Sequence, residues 1–122
     1  MTERSAEKTY DDAEVRQRLA AELPQWQLDG GCISRRYTTT SWKSTLMVVN
    51  AVGHLAEVAW HHPDIAASYS SVEVRLRNHA AGGITDKDFE LARKIEEVVD
   101  WQPAAESGAL TGPPEKLAVI KR

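Results

Sequence analysis

The chain lacks several features that define large classes of protein. Among its 122 residues there is a single cysteine, Cys32, which excludes an internal disulfide and any metal site built from several thiolates. No apolar run approaches the roughly 20 residues that span a bilayer, and the polar N-terminus has no signal-peptide pattern. The net charge of −3 provides no positive field for nucleic acid or anionic lipid. We therefore expect one cytoplasmic domain that binds neither nucleic acid nor membrane.

Apolar residues recur in patterns that predict helices and hairpins in alternation. Pro24, Gly30-Gly31, Pro63, Gly82-Gly83 and Pro103 separate these segments. Helices are expected at about 11–22, from Ser41 to Pro63, and from Thr85 to Pro103, and strands at 25–29, 32–39, 65–69 and 72–76. This order predicts an α+β fold, an antiparallel sheet with helices packed on one face.

Composition divides the chain into three parts. Residues 1–10 are polar and predict a flexible leader, 11–102 form the single domain, and 103–122 form a tail that contains three of the five prolines. Within the tail, the apolar segment from Leu117 to Ile120 is suited to a sheet edge or to a protein partner.

The chain has only four histidines, and two of them are neighbours in the sequence. His61 and His62 are adjacent and precede Pro63, which forces the residue before it into extended backbone. The two imidazoles can then point to different sides of one small volume. Because an imidazole titrates near pH 6.5, such a cluster suits general acid–base catalysis without a cofactor.

Other interpretations of these residues stay open on the sequence alone. Adjacent histidines at a helix C-terminus also favour the helix dipole and can cap carbonyl groups. Glu57 lies one helical turn before His61 and is placed to hold one ring tautomer. A metal site is less favoured, because no H-x-x-x-H pair is present.

The remaining candidates each have a structural and a functional interpretation. Strand alternation puts His79 on the face opposite Val74, either as an exposed strand-end histidine or lining a cleft. Asp88 forms a capping box with Thr85. Trp26 fits the core better than an aromatic wall for a flat heterocycle. His54, in mid-helix, fits a structural or surface role.

The spacing of these residues resembles the signature of the pterin-4a-carbinolamine dehydratases, also called 4a-hydroxytetrahydrobiopterin dehydratases or dimerisation cofactors. The matching series is Glu57, His61-His62-Pro63, Tyr69, His79 and Asp88. The segments Leu23-Pro24-Gln25-Trp26 and His79 to Thr85 also resemble the family, and the likeness covers about residues 11–101. Three features differ from it: Asn78 replaces a usual threonine, Trp42 a common phenylalanine, and the tail is longer.

The resemblance implies a four-stranded antiparallel sheet with three helices on one face, in a homodimer or homotetramer. It implies a hydro-lyase, without cofactor or metal, that dehydrates 4a-hydroxytetrahydropterin in tetrahydrobiopterin recycling. Transferred by position, the catalytic residues are His61, His62 and His79, the supporting residues are Glu57 and Asp88, and the substrate-binding residues are Trp26, Pro63 and Tyr69. The alternative is a catalytically silent binding module that acts as an assembly or dimerisation cofactor.

Overall fold

The computed structural model describes residues 7–122, in which three helices and four strands follow one another as the sequence patterns predict. The helices are α1 (Asp12–Glu22), α2 (Trp42–Ala59) and α3 (Asp86–Val99), and the strands are β1 (Gln27–Asp29), β2 (Cys32–Thr38), β3 (Asp64–Ser68) and β4 (Ser71–Leu76). Two single 3₁₀ turns follow in the tail, at Pro103–Ala105 and Glu115–Leu117.

The strands form one antiparallel sheet in the order β1-β2-β4-β3. Alternate residues of β4, Val72, Val74 and Leu76, are fully buried against the helices, because successive side chains of a strand point to opposite faces. Ile33 and Tyr37 of β2 lie on the same face and are equally buried. The predicted α+β class and the antiparallel sheet are therefore confirmed.

Each helix begins at a residue that can cap it, but α2 ends earlier than predicted. The Asp11 carboxylate accepts from the backbone of Glu14, and the Ser41 hydroxyl accepts from that of Ser44, which satisfies N–H groups without an intrahelical partner. Pro63 was expected to end α2. Instead the helix stops at Ala59, because Trp60 adopts a left-handed backbone with φ of 55°.

The first described residues and the tail both contact the rest of the domain. Residues 1–6 of the predicted leader lie outside the described residues, but the Tyr10 N–H donates to the Ile84 carbonyl at 3.0 Å. The tail pairs with the sheet at Thr39, opposite Ile120. Since β1 pairs only with residues 32–34 of β2, the later part of that edge is open, and the tail occupies it. Of the two uses expected for the Leu117–Ile120 segment, the sheet edge is the one observed.

The α2 and α3 helices give the domain two distinct ends. The chain leaves α2 beside the N-terminus of α3, where His61 meets Asp88. At the opposite end, residues of α2, of the end of α3 and of the tail enclose an apolar cavity of about 350 Å³. Within residues 7–122, no helix is long and apolar enough to cross a membrane.

Candidate active site

The closest contact between predicted site residues joins His61 and Asp88. His61 Nε2 lies 2.6 Å from Asp88 Oδ1. The Asp88 side chain is completely buried, whereas 13% of the His61 side chain reaches solvent. Behind this contact, the His61 N–H donates to the Ala56 carbonyl at 3.1 Å, which fixes the backbone after the left-handed turn. The imidazole therefore has one nitrogen on a buried carboxylate and a ring edge that solvent can reach.

Asp88 also performs the capping role predicted for it. Its second oxygen, Oδ2, accepts from the Thr85 N–H at 2.8 Å. A carboxylate in the first turn of a helix is stabilised by the unpaired N–H groups and the positive end of the helix dipole. The structural and functional interpretations are thus compatible, because each uses a different oxygen of Asp88.

A hydrogen-bonded series continues from this carboxylate towards His79. The Thr85 hydroxyl lies 3.4 Å from Asp88 Oδ2 and 3.3 Å from the Nδ2 of Asn78. Asn78 Nδ2 also donates to Glu7 at 2.6 Å. Because Asn78 immediately precedes His79, the series fixes the backbone at His79 relative to Asp88.

His79 itself is exposed and lies in a turn, not in a strand. β4 ends at Leu76, and Asn78 pairs with Gly83 to close the turn around His79. The exposure of His79 agrees with one of the two interpretations that the sequence offered, although the strand itself ends before His79. The Gly82-Gly83 loop predicted from the sequence is the other side of this turn, with Gly82 at φ of 76°.

Glu57 contacts the second histidine of the pair, His62, and not the first. Helical spacing predicted Glu57 beside His61, but Glu57 Oε1 lies 3.0 Å from His62 Nε2. The left-handed residue Trp60 redirects the chain, so the helical i, i+4 relationship ends before His61. The His62–Glu57 pair is open to solvent, with 52% and 69% of the side chains exposed.

The three substrate-binding candidates do not gather around His61. Pro63 is half-buried next to His62. Tyr69 is 68% exposed and lies beyond the far end of β3. The five residues of that strand separate its two ends by about 17 Å along the sheet. Trp26 is 3% exposed, and its indole N–H donates to Glu96 at 2.8 Å, two turns of α3 from Asp88. This burial agrees with the core interpretation of Trp26, and we do not include Trp26 in the site.

Glu96 is the centre of a second, structural polar cluster. It accepts hydrogen bonds from Trp26, from the Arg35 guanidinium and from the Tyr37 hydroxyl at 2.9 Å. Burial alone would raise the pKa of Glu96, but the hydrogen bonds and charge of Arg35 hold it below its ordinary value. Burial and the Glu96 charge raise the pKa of Tyr37 well above its ordinary value. The cluster stabilises the packing of α3 on the sheet.

Sequence reasoning missed three residues around the histidines. The sequence marks Asn78 only as a difference from the family, and Trp60 falls within the apolar stretch that precedes His61. Glu7 lies in the predicted leader, yet it contacts both Asn78 and Lys87. The contacts of Glu7 have no local pattern, because they join residues that are distant in sequence and are brought together by the fold.

Comparison with known proteins now identifies the family. The family model described as pterin 4 alpha carbinolamine dehydratase matches residues 8–98. The chain belongs to this family. Among curated relatives, a protein of Aquifex aeolicus is 43% identical over 92 residues, which is 75% of this chain and 92% of the relative. One from Thermomicrobium roseum is 42% identical over 88 residues, 72% of this chain and 94% of the relative. Both are named "Putative pterin-4-alpha-carbinolamine dehydratase".

Two solved structures have a similar fold. A transcriptional coactivator/pterin dehydratase from Brucella melitensis superposes with a TM-score of 0.68 at 26% identity, covering 75% of this chain and 99% of that one. A pterin dehydratase-like protein, described as a RuBisCO assembly factor in the alpha-carboxysome, gives a TM-score of 0.50 at 19% identity, covering 61% and 86%. The second likeness supports the fold alone. The tail from residue 103 lies outside the family match.

Proposed function

We propose that this chain dehydrates 4a-hydroxytetrahydropterin to quinonoid dihydropterin and water. The observation that carries the proposal is the His61–Asp88 contact of 2.6 Å, in which a buried carboxylate orients a partly exposed imidazole. That arrangement is typical of a general acid–base histidine whose tautomer is held by a carboxylate. Family membership supplies the substrate class.

The proposed reaction requires two proton transfers and no change of oxidation state. One proton is delivered to the hydroxyl on C4a, so that the C–O bond breaks and water leaves. The second proton is removed from N5, whose electron pair forms the C4a=N5 double bond. The protein gives up one proton to the hydroxyl and gains one from N5, so the proton balance closes. Groups that titrate near neutral pH serve both steps.

Within this proposal, His61 is the principal acid–base residue and Asp88 positions it. His79 serves the other proton, from a turn that the Asn78–Thr85–Asp88 series connects to the same helix N-terminus. His62, held by Glu57, orients the polar edge of the pterin. We further propose that the reaction belongs to tetrahydrobiopterin recycling in the cytoplasm and that the chain works as a homodimer or homotetramer.

The test is a rapid assay with freshly prepared 4a-hydroxytetrahydropterin, comparing the unaltered protein with its His61→Ala variant. The rate above the spontaneous reaction should fall by about 10²- to 10⁴-fold, the usual contribution of one acid–base group. His54→Ala is the matched control, because His54 is an exposed histidine of α2 away from the Asp88 contact. A His61→Ala variant as active as the control would refute the proposed role of His61.

The alternative is a catalytically silent binding module that acts as an assembly or dimerisation cofactor. Loss of catalysis would relax the need for an ordered acid–base site. Here His61 keeps a buried carboxylate partner, and His62 keeps Glu57. These retained pairs favour the enzyme. If the unaltered protein gives no acceleration, the binding module becomes the better explanation.

A further inference from the structure

Trp60 combines an unfavourable backbone with an unpacked side chain. Its φ of 55° and ψ of 46° lie in the left-handed region, and within residues 7–122 no other residue apart from glycines has a positive φ. Glycine and asparagine are the usual residues where a helix ends in this way, since a Cβ atom is disfavoured there and the short polar side chain of asparagine can bond locally. A large aromatic residue at this position therefore requires an explanation.

The core does not provide that explanation. Trp60 is 74% exposed, so most of its indole surface lies in water. Its recorded ring contact is with His62, at 5.0 Å between centroids and with the planes at 81°. The edge-to-face geometry is a favourable aromatic contact, but it leaves the broad face of one ring uncovered. Strained backbone whose cost is not offset by local side-chain packing is a pattern found at functional sites.

The position of Trp60 indicates what the exposed ring would meet. It directly precedes His61, which contacts Asp88, and it touches the ring of His62. A planar ligand bound at these histidines would lie beside the indole. A pterin is a flat, conjugated bicyclic system, and such ring systems stack favourably on aromatic side chains.

We infer that Trp60 is a pterin-binding residue, whose indole stacks on the substrate ring system beside His61 and His62. This inference rests on the proposed function and deepens it. The indole would hold the pterin similarly in the ground state and in the transition state. Its loss should therefore raise KM more than it lowers kcat.

The experiment compares Trp60→Gly, Trp60→Asn and Trp60→Phe with the unaltered protein. Glycine and asparagine suit the left-handed backbone, so these variants keep the turn while removing the ring. KM should rise about 2- to 13-fold in both, the range expected for one aromatic stacking contact, and Trp60→Phe should restore much of the loss. Trp42→Ala is the matched control. Trp42 is also exposed, but it begins the same helix about 27 Å away.

A direct binding measurement separates this inference from the proposed function. Titration with 7,8-dihydropterin, which is not turned over, should quench tryptophan emission in the unaltered protein. The quenched fraction should fall in Trp60→Phe, which retains the other three of the four tryptophans. Unchanged quenching, together with unchanged KM in Trp60→Gly, overturns the inference while the dehydratase proposal stands.

Two further outcomes are decisive. Quenching that depends on Trp60, without acceleration of dehydration by the unaltered protein, supports the binding residue and refutes the proposed activity. A change of oligomeric state in Trp60→Gly, measured by light scattering and accompanied by normal dihydropterin affinity, assigns the indole to a contact between copies of the chain and overturns the inference.

Discussion

Asp88 Oδ1 lies 2.6 Å from His61 Nε2, across 27 positions of sequence. The other Asp88 oxygen accepts from the N–H of Thr85 at the start of α3. The same carboxylate therefore caps the start of α3 and orients the imidazole of His61, which follows α2. Because it has no exposed surface, water does not compete for either contact.

We expect Asp88→Asn to separate these two roles. The amide oxygen still accepts from Thr85, but the carboxylate that contacts His61 Nε2 and orients its ring is lost. The dehydration rate should fall about 10²-fold, while stability falls by no more than about 2 kcal/mol, the upper range for a helix cap. Stopped-flow rates and urea denaturation measure the two effects.

The matched control for that variant is Asp86→Asn. Asp86 is in the same first turn but bonds to Tyr10 and Arg18 on the surface, contacts that hold the pKa of Asp86 below its ordinary value. The Asp86→Asn substitution should leave the dehydration rate unchanged. An equal loss of rate in both variants would mean that acidic charge near the helix, not contact with His61, determines activity.

The site illustrates which contacts a sequence predicts. The Thr85–Asp88 capping box was predictable because two residues three positions apart in one chain segment define it. The contact of Asp88 with His61 was not, since the two residues meet only through the packing of α2 against α3. Glu57 was assigned by helical spacing to His61 and instead contacts His62, because the left-handed Trp60 ends the helix before that spacing applies.

The architecture was easier to predict than the site. Alternation in Val72, Val74 and Leu76 reports burial directly, and glycine and proline mark the turns. His79 lies in a turn beyond Leu76, the last residue of β4, so alternation is consistent with its exposure but does not predict which groups it meets. The family resemblance, by contrast, placed His79 and Asp88 in one site without specifying their contacts.

The Glu96 cluster predicts a defined dependence of stability on pH. Because the folded-state pKa of Glu96 is below its ordinary value, its contribution is complete above about pH 4.5. It is lost as the pH falls through the lower, folded-state pKa. The Glu96→Gln substitution should lower the free energy of unfolding by about 1.5–3 kcal/mol at pH 7, the range for hydrogen bonds to a charged group. The difference from the unaltered protein should shrink below pH 4, as measured by thermal denaturation. A difference that stays constant down to pH 3 would contradict this assignment.

The tail should stabilise the domain through Ile120. This side chain is 6% exposed and lies in the core beside the pairing with Thr39. Ile120→Ala should cost about 2–4 kcal/mol of unfolding free energy, as for other buried aliphatic truncations. Leu117→Ala, at a position that is 69% exposed, should cost almost nothing. Similar losses in the two variants would show that the tail contributes through its apolar composition and not through the edge contact.

Trp60 also makes a prediction about stability that is independent of ligand. Left-handed backbone costs a residue with a Cβ atom about 1–2 kcal/mol relative to glycine, and the exposed indole recovers little of this through packing. Trp60→Gly should therefore be more stable than the unaltered protein by about 1 kcal/mol, which raises Tm by about 3–6 °C for a chain of this length. Trp60→Ala is the control, because alanine removes the ring but keeps the Cβ atom that the left-handed backbone disfavours. A gain in Trp60→Ala equal to that in Trp60→Gly would attribute the effect to the exposed ring, whereas a loss in Trp60→Gly would show that the indole stabilises the turn and that no strain is stored there.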